Sequence, residues 1–132
     1  MKAVKGNELF VTAPNEVGTL EDISERLRDE AINVRAVSAY VVDDKAYFRI
    51  ITSDNNKAKD VLTGSGCTVE IKEVVIVEMP DKVGELCGIS LKLKNAGVDL
   101  KYIYGSTSSS QNEASIIFSS DNNDKALEIL SK

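Results

Sequence analysis

Residues 14–27 read PNEVGTLEDISERL and residues 80–93 read PDKVGELCGISLKL. The offset is 66 residues (80 − 14 = 66), and seven of the fourteen positions are identical: Pro14/Pro80, Val17/Val83, Gly18/Gly84, Leu20/Leu86, Ile23/Ile89, Ser24/Ser90 and Leu27/Leu93. A unit longer than the usual solenoid repeat, present only twice, marks two copies of one small domain. The 132 residues therefore divide into two modules, 1–73 and 74–132. At about 65 residues each, these lie near the lower size limit for folding alone.

Working outward from the repeat, the same order of elements emerges twice. Glu8–Ala13 reads as a strand that Pro14 and Asn15 break. Val17, Leu20, Ile23, Leu27 and Ala31 recur at three- and four-residue spacing, which predicts one apolar face of a helix. Val34–Val42 and Ala46–Ser53 read as two strands around the turn Asp43-Asp44-Lys45. Ser53 or Asp54 can cap a second helix that turns Ala58, Val61 and Leu62 inward. Gly64-Ser65-Gly66 ends that helix. Thr68–Met79 then alternates with apolar odd positions, interrupted by Glu73, so the last strand of module one runs into the first strand of module two without a linker.

Module two follows the same plan. Val83, Leu86, Ser90 and Leu93 are expected on its first helix face, with Ile89 beside it. Val98–Tyr104 and Ala114–Ser119 are its hairpin strands, and Ala126, Leu127, Ile129 and Leu130 mark its last helix. Each module is thus β-α-β-β-α-β, an α+β ferredoxin-like split βαβ with an antiparallel sheet and two helices on one face. The last strand of module two is missing, which leaves an unpaired edge. At the same offset the N-terminal residues from Lys2 align with the strand opening at Thr68, so N-terminal residues, of this chain or of a partner, are expected to fill part of the gap.

Composition narrows the function. Net charge is −5 and no basic stripe stands out, which argues against nucleic acid and anionic membranes. No apolar run approaches the roughly 18 residues of a membrane helix, and the opening MKAVKGN has no apolar core of a signal peptide. Cys67 and Cys87 form no framework pattern and are expected as reduced thiols in a cytoplasmic protein. With no histidine and no third thiol, a metal site is not expected. No nucleophile–base pair or cofactor motif is recognisable, so the expectation is a protein that is not an enzyme and uses no cofactor.

The residues Asn15-Glu16-Val17-Gly18-Thr19-Leu20 with Ile32-Asn33-Val34, and Asp81-Lys82-Val83-Gly84-Glu85-Leu86 with Val98-Asp99-Leu100, resemble the motif of the ACT domain. That small regulatory module binds amino acids in many biosynthetic enzymes. The resemblance covers about residue 8 to Leu130 and is strongest to stand-alone tandem-ACT proteins, sometimes labelled relatives of acetolactate synthase regulatory subunits. The family pattern has Asn-x-Pro-Gly-x-Leu after the first strand and a Gly-Ile-Asn-Ile-like stretch after the helix. This chain departs from it. Val17 and Val83 replace the proline, Asp81 and Asp99 replace asparagine, and Ala31 replaces the helix-ending glycine that Gly97 keeps.

The resemblance implies a ligand site at an interface between two modules, occupied by a free amino acid. The residue chemistry suits it. Free N–H groups at a helix N-terminus favour a carboxylate. A glycine at 18 or 84 permits close approach of the backbone. An asparagine at 15 can accept from an ammonium and donate to a carboxylate. Asn33 opens the next strand and is expected beside this loop. Asp81 and Asp99 only accept when ionised, so the two sites are expected to be unequal and module two to be largely structural. The leading expectation is an amino-acid-sensing regulator, a homodimer, acting on an amino-acid biosynthetic enzyme. The alternative is a ligand-free interaction or oligomerisation module, since Pro-x-x-Val-Gly-x-Leu also makes sense with Val and Leu packed in the core.

Several weaker signals give way to local explanations. Gly64-Ser65-Gly66 lacks the third glycine and the following helix of a dinucleotide fingerprint. Asp121-Asn122-Asn123-Asp124 lacks the glycine and glutamate of a calcium loop. Tyr40, Tyr47, Tyr102 and Tyr104 lie on predicted strands without an RNA-binding motif and are assigned to core and interface packing. Ser106–Ser110 reads as a flexible turn, and Cys87 as a half-buried helix thiol.

Overall fold

Alternating strands and amphipathic stretches of this length can bury their apolar faces only by stacking helices on a sheet. The computed structural model, which describes residues 1–108 and 112–132, shows this arrangement. In order the elements are β1 (Lys2–Pro14), α1 (Thr19–Asp29), β2 (Val34–Val42), β3 (Lys45–Thr52), α2 (Asn55–Gly64), β4 (Thr68–Pro80), α3 (Glu85–Asn95), β5 (Leu100–Ser108), β6 (Glu113–Ser120) and α4 (Asn123–Leu130). The hydrogen-bonded strand order is β2-β3-β1-β4-β6-β5, so the βαββαβ pattern occurs twice in an antiparallel sheet. Part of the expected flexible turn at Ser106–Ser110 lies outside the described residues.

The chain forms two compact units: a first of Asn7–Lys72, and a second of Met1–Gly6 with Glu73–Lys132. This differs from a simple cut at residue 73. The two long strands are the reason. Each is 13 residues, twice the usual length of about 5–6. In the second unit Met1–Gly6 takes the place of the missing last strand. Ala3 packs against that unit's core, Lys5 pairs with Asp124 and Glu73, and a Cβ on Gly6 would come within 2.6 Å of Ile76 Cδ1.

In the first unit, alternate residues Leu9, Val11 and Ala13 of β1 meet Ala46, Phe48 and Ile50 of β3 in the core with Ile23, Leu27, Ala58 and Leu62 from the helices. The expected face of α1 holds for two of its five residues, and Ala31, past the end of the helix, is exposed. Ile23 and Leu27 are buried, whereas Leu20 is 50% exposed and Val17 is fully exposed. Val17 precedes the helix, on a loop that has left the sheet, so helical spacing does not apply to it. On strand residues of opposite parity, Phe10 stacks on Tyr47 at 5.6 Å and Tyr40 on Tyr47 at 5.5 Å. There Arg49 lies 4.5 Å over the Phe10 ring and 3.1 Å from Glu8, whose side chain is fully buried.

The second unit has the same logic. Val75, Val77 and Met79 of β4, Ile116 and Phe118 of β6, and Ala126 and Leu130 of α4 form its core. From α3 the buried pair is Ile89 and Leu93, in register with Ile23 and Leu27. Ser90, expected on that face, is exposed and donates to the Leu86 carbonyl; Val83 is fully exposed and Leu86 is 53% exposed. Both thiols are free, and Cys87 is exposed rather than half-buried.

Local chemistry fixes the helix ends. Asp54 caps α2 by accepting from Lys57 N, and Asn122 caps α4 by accepting from Lys125 N. Next to each cap, an asparagine ties the helix to the sheet. Asn55 accepts from Thr52 and donates to the Asn7 carbonyl, and Asn123 accepts from Ser120 and donates to the Glu73 carbonyl. Helices α1 and α3 end in the same paired return bonds. Ile32 N reaches Leu27 O and Ala31 N reaches Arg28 O; Val98 N reaches Leu93 O and Gly97 N reaches Lys94 O.

Candidate functional site

The two loops that carry the repeat begin where Pro14 and Pro80 end their strands. In the first, Asn15 N donates to Asp44 O at 2.9 Å, which ties the loop to the β2–β3 turn. Gly18 then takes φ 88° as the N-cap of α1 and supplies no side-chain cap. Thr19 folds back, its hydroxyl donating to Glu16 O at 2.9 Å. In the second, Asp81 N donates to Asn112 O at 2.9 Å, and Gly84 at φ 92° caps α3, again without a side-chain bond. Asparagine 15 and Asp81 are therefore not helix caps. First-turn N–H groups of a helix have no intrahelical acceptor, and here no side-chain oxygen takes one, so both helices present open donors to their loop.

Beside the first loop lies a concavity of about 270 Å³, lined by Asn15, Glu16, Gly18, Thr19 and Leu20 with Ala39, Tyr40 and Val41 of β2 and Ala46 and Phe48 of β3. That equals roughly nine liquid waters. A second concavity, of about 280 Å³, flanks the same loop between Glu16–Thr19, Asp22 and Ser65–Cys67. Larger still, at about 380 Å³, is one in the second unit at Met1, Lys2, Met79 and Asn112, which shares only Pro80 with the repeated stretch.

The structure separates residues expected together. Asn15 is bonded to Asp44, whereas Asn33 is bonded to Ser53 at the other end of β3. Nine residues of strand at about 3.3 Å each put them roughly 30 Å apart. The same holds for Asp81, bonded to Asn112, and Asp99, bonded to Asp121. The cause is the direction of the chain. An 11-residue helix runs back along the sheet by roughly 16 Å and delivers the next strand to the far edge. Asn33 and Val34, and Asp99 and Leu100, are thus not beside the loop of their own unit. In their place come Ala39, Tyr40 and Val41, from the end of the same strand, which sequence reasoning missed. The signal was present: the turn that closes the β2–β3 hairpin returns the chain to the end of the sheet that Pro14 leaves.

The two loops differ in charge and bonding. Asp81 Oδ2 accepts from the Thr107 hydroxyl at 2.8 Å, while the exposed Asn15 side chain has no hydrogen-bond partner among the described residues. Glu16 and Asp22 line the first loop; Lys82 and Glu85 stand in the second. On α1 the Glu21 carboxyl is held above its usual value by its hydrogen bond to Glu25, and then by the charge of Glu25. Among the described residues no helix is long and apolar enough to cross a membrane.

Comparison with known proteins agrees with this geometry. The family model for the ACT domain pair matches residues 4–132. A protein of known structure from Bacteroides thetaiotaomicron is similar over 98% of this chain and 88% of its own, at 29% identity and a TM-score of 0.91. The ligand-free regulatory subunit of aspartate kinase from Thermus thermophilus shares the fold at 12% identity and a TM-score of 0.69, over 98% of this chain and 94% of its own. Aspartokinase III from E. coli, in complex with lysine and aspartate, shares it at 15% identity and a TM-score of 0.56, over 98% of this chain and 31% of its own. No curated protein matches the chain. With two βαββαβ units, a repeated glycine-capped loop and a family match over nearly its whole length, the chain belongs to the ACT-domain family as an ACT domain pair.

Proposed function

We propose that this ACT domain pair is a non-catalytic regulatory protein that binds a free amino acid and alters the state of a partner enzyme of amino-acid biosynthesis. The observation that carries this reading is the first loop. Asn15 offers an amide with no partner among the described residues, the first turn of α1 offers open N–H donors, and a concavity of about 270 Å³ adjoins both. The donors suit a carboxylate and the amide suits an ammonium. The fold it shares with an aspartate kinase regulatory subunit and with an aspartokinase in complex with amino acids supports the same class of ligand.

In this reading Asn15, Glu16, Val17, Gly18, Thr19 and Leu20 form one wall. Asn33 and Val34 contribute only from a second copy, because within one unit they lie too far from the loop. A homodimer in the cytoplasm supplies that copy, and a ligand bound across two surfaces stabilises one arrangement by its differential affinity. The test is a thermal-shift screen of the twenty amino acids at millimolar concentration, repeated on Asn15→Ala. Saturation at about 100 times the dissociation constant adds about 2.7 kcal/mol. A selective shift that Asn15→Ala removes supports the reading; no shift with any amino acid refutes it.

A second reading, a ligand-free interaction module, is favoured by one observation. Val17 and Val83 are fully exposed, and Val34, Val37, Val41 and Val42 are exposed along β2. An apolar strand with one free edge is a template for pairing. Under this reading Val37→Lys abolishes oligomerisation in analytical ultracentrifugation and amino acids have no effect.

A further inference from the structure

We propose that the pair Asp81 and Thr107 closes the second loop to amino acids, so that each chain binds one equivalent, at the first loop. This rests on the function proposed above and assigns its specificity to a position outside the repeated motif. Thr107 Oγ1 lies 2.8 Å from Asp81 Oδ2 and 3.1 Å from Glu113 O. A hydroxyl has one proton to give, and the shorter contact to an ionised acceptor claims it. Meanwhile Asp81 N donates to Asn112 O at 2.9 Å. The residue is therefore held at its backbone by Asn112 and at its carboxylate by Thr107, beside the β5–β6 hairpin and next to the N-terminus of α3. Ionised, it only accepts, and it opposes the carboxylate of an arriving amino acid.

At the constant offset of 66 residues, Asp81 corresponds to Asn15 and Thr107 to Val41. Both positions differ, and in a matched sense. The Val41 side chain has no proton to donate, is exposed, and lines the concavity beside Asn15, whose side chain has no partner among the described residues. In one loop the amide is free to meet a ligand; in the other the carboxylate is already engaged. Thr107 acts through Asp81 and is a positioning residue.

Two exchanges test this on the full chain. Asp81→Asn with Thr107→Val gives the second loop the chemistry of the first, and Asn15→Asp with Val41→Thr does the reverse. All four positions are exposed, so thermal unfolding should show folded protein in each case. The probe is each of the twenty amino acids in turn, titrated by calorimetry. Wild type is expected to bind one equivalent per chain, the first exchange two, and the second none, with an affinity loss of at least tenfold at the altered loop. Thr107→Ser, which keeps the hydroxyl, should stay at one. Two equal equivalents on wild type, or one equivalent after the first exchange, overturns the proposal while leaving amino-acid binding intact. No binding by any of these proteins overturns the proposed function itself, and the proposal with it.

Discussion

Replacing Ala31 by glycine is expected to stabilise the first unit by about 0.5–1 kcal/mol. Ala31 closes α1 with φ 57°, a left-handed conformation, because Ile32 N and Ala31 N must turn back to Leu27 O and Arg28 O, each at 2.9 Å. The buried contact of Ile32 with the helix core depends on that turn, so the strain is held by packing elsewhere. A non-glycine residue pays roughly 1–2 kcal/mol there. Glycine removes that cost but returns about 0.4–1 kcal/mol through the greater freedom of its unfolded chain. The second unit provides the reverse experiment. Gly97 holds the same place at φ 72°, and a Cβ added to it would meet nothing within 4 Å. Gly97→Ala should therefore cost about 0.5–1 kcal/mol through backbone strain alone. In thermal unfolding followed by circular dichroism, the two changes should move the midpoint by roughly 2–5 °C in opposite directions. The double variant should lie near wild type, because the sites are independent. If Ala31→Gly lowers the midpoint, or Gly97→Ala raises it, the assignment of these turns is wrong.

Further expectations concern caps, cores and charge. Asp54→Ala and Asn122→Ala should each cost about 1 kcal/mol in urea denaturation, since each removes the acceptor for a first-turn N–H. Removing residues 1–6 should unprotect amides of β6 and α4 in hydrogen exchange while sparing α1 and α2, because Met1–Gly6 belongs to the second unit; equal loss in both units would contradict that division. Arg49→Met should destabilise by about 3 kcal/mol by taking a cation from the buried Glu8 carboxylate, and a change below about 1 kcal/mol would show the pair to be dispensable. Glu25→Gln should lower the Glu21 titration midpoint in an NMR pH series. The sign follows from linkage: a raised carboxyl contributes stability below its ordinary value near 4.5 that is lost as pH rises through the folded value. An unmoved midpoint would place the cause elsewhere.

What the sequence by itself determined was local or periodic. The turn at Asp43-Asp44-Lys45 and the β-branched run before it located β2 at Val34–Val42 without error, because turn residues bound a strand locally. The 66-residue offset fixed the number of modules and matched Ile23 and Leu27 with Ile89 and Leu93, both buried pairs. A cap at Ser53 or Asp54 was legible for the same reason, and Asp54 is the one that accepts, from a backbone N–H three residues on. What only the tertiary structure decided was non-local. Helical spacing placed Val17 and Ser90 on buried faces, but burial depends on what stands opposite, and nothing in the described structure covers them. Asn33 reads as a neighbour of Asn15 in a motif, yet the helix between them carries the chain to the far end of the sheet. The bond from Thr107 to Asp81 spans 26 residues and exists because the β5–β6 hairpin ends beside the loop. Spacing along a chain encodes contacts within an element; contacts between elements depend on the direction each strand runs, which only folding sets.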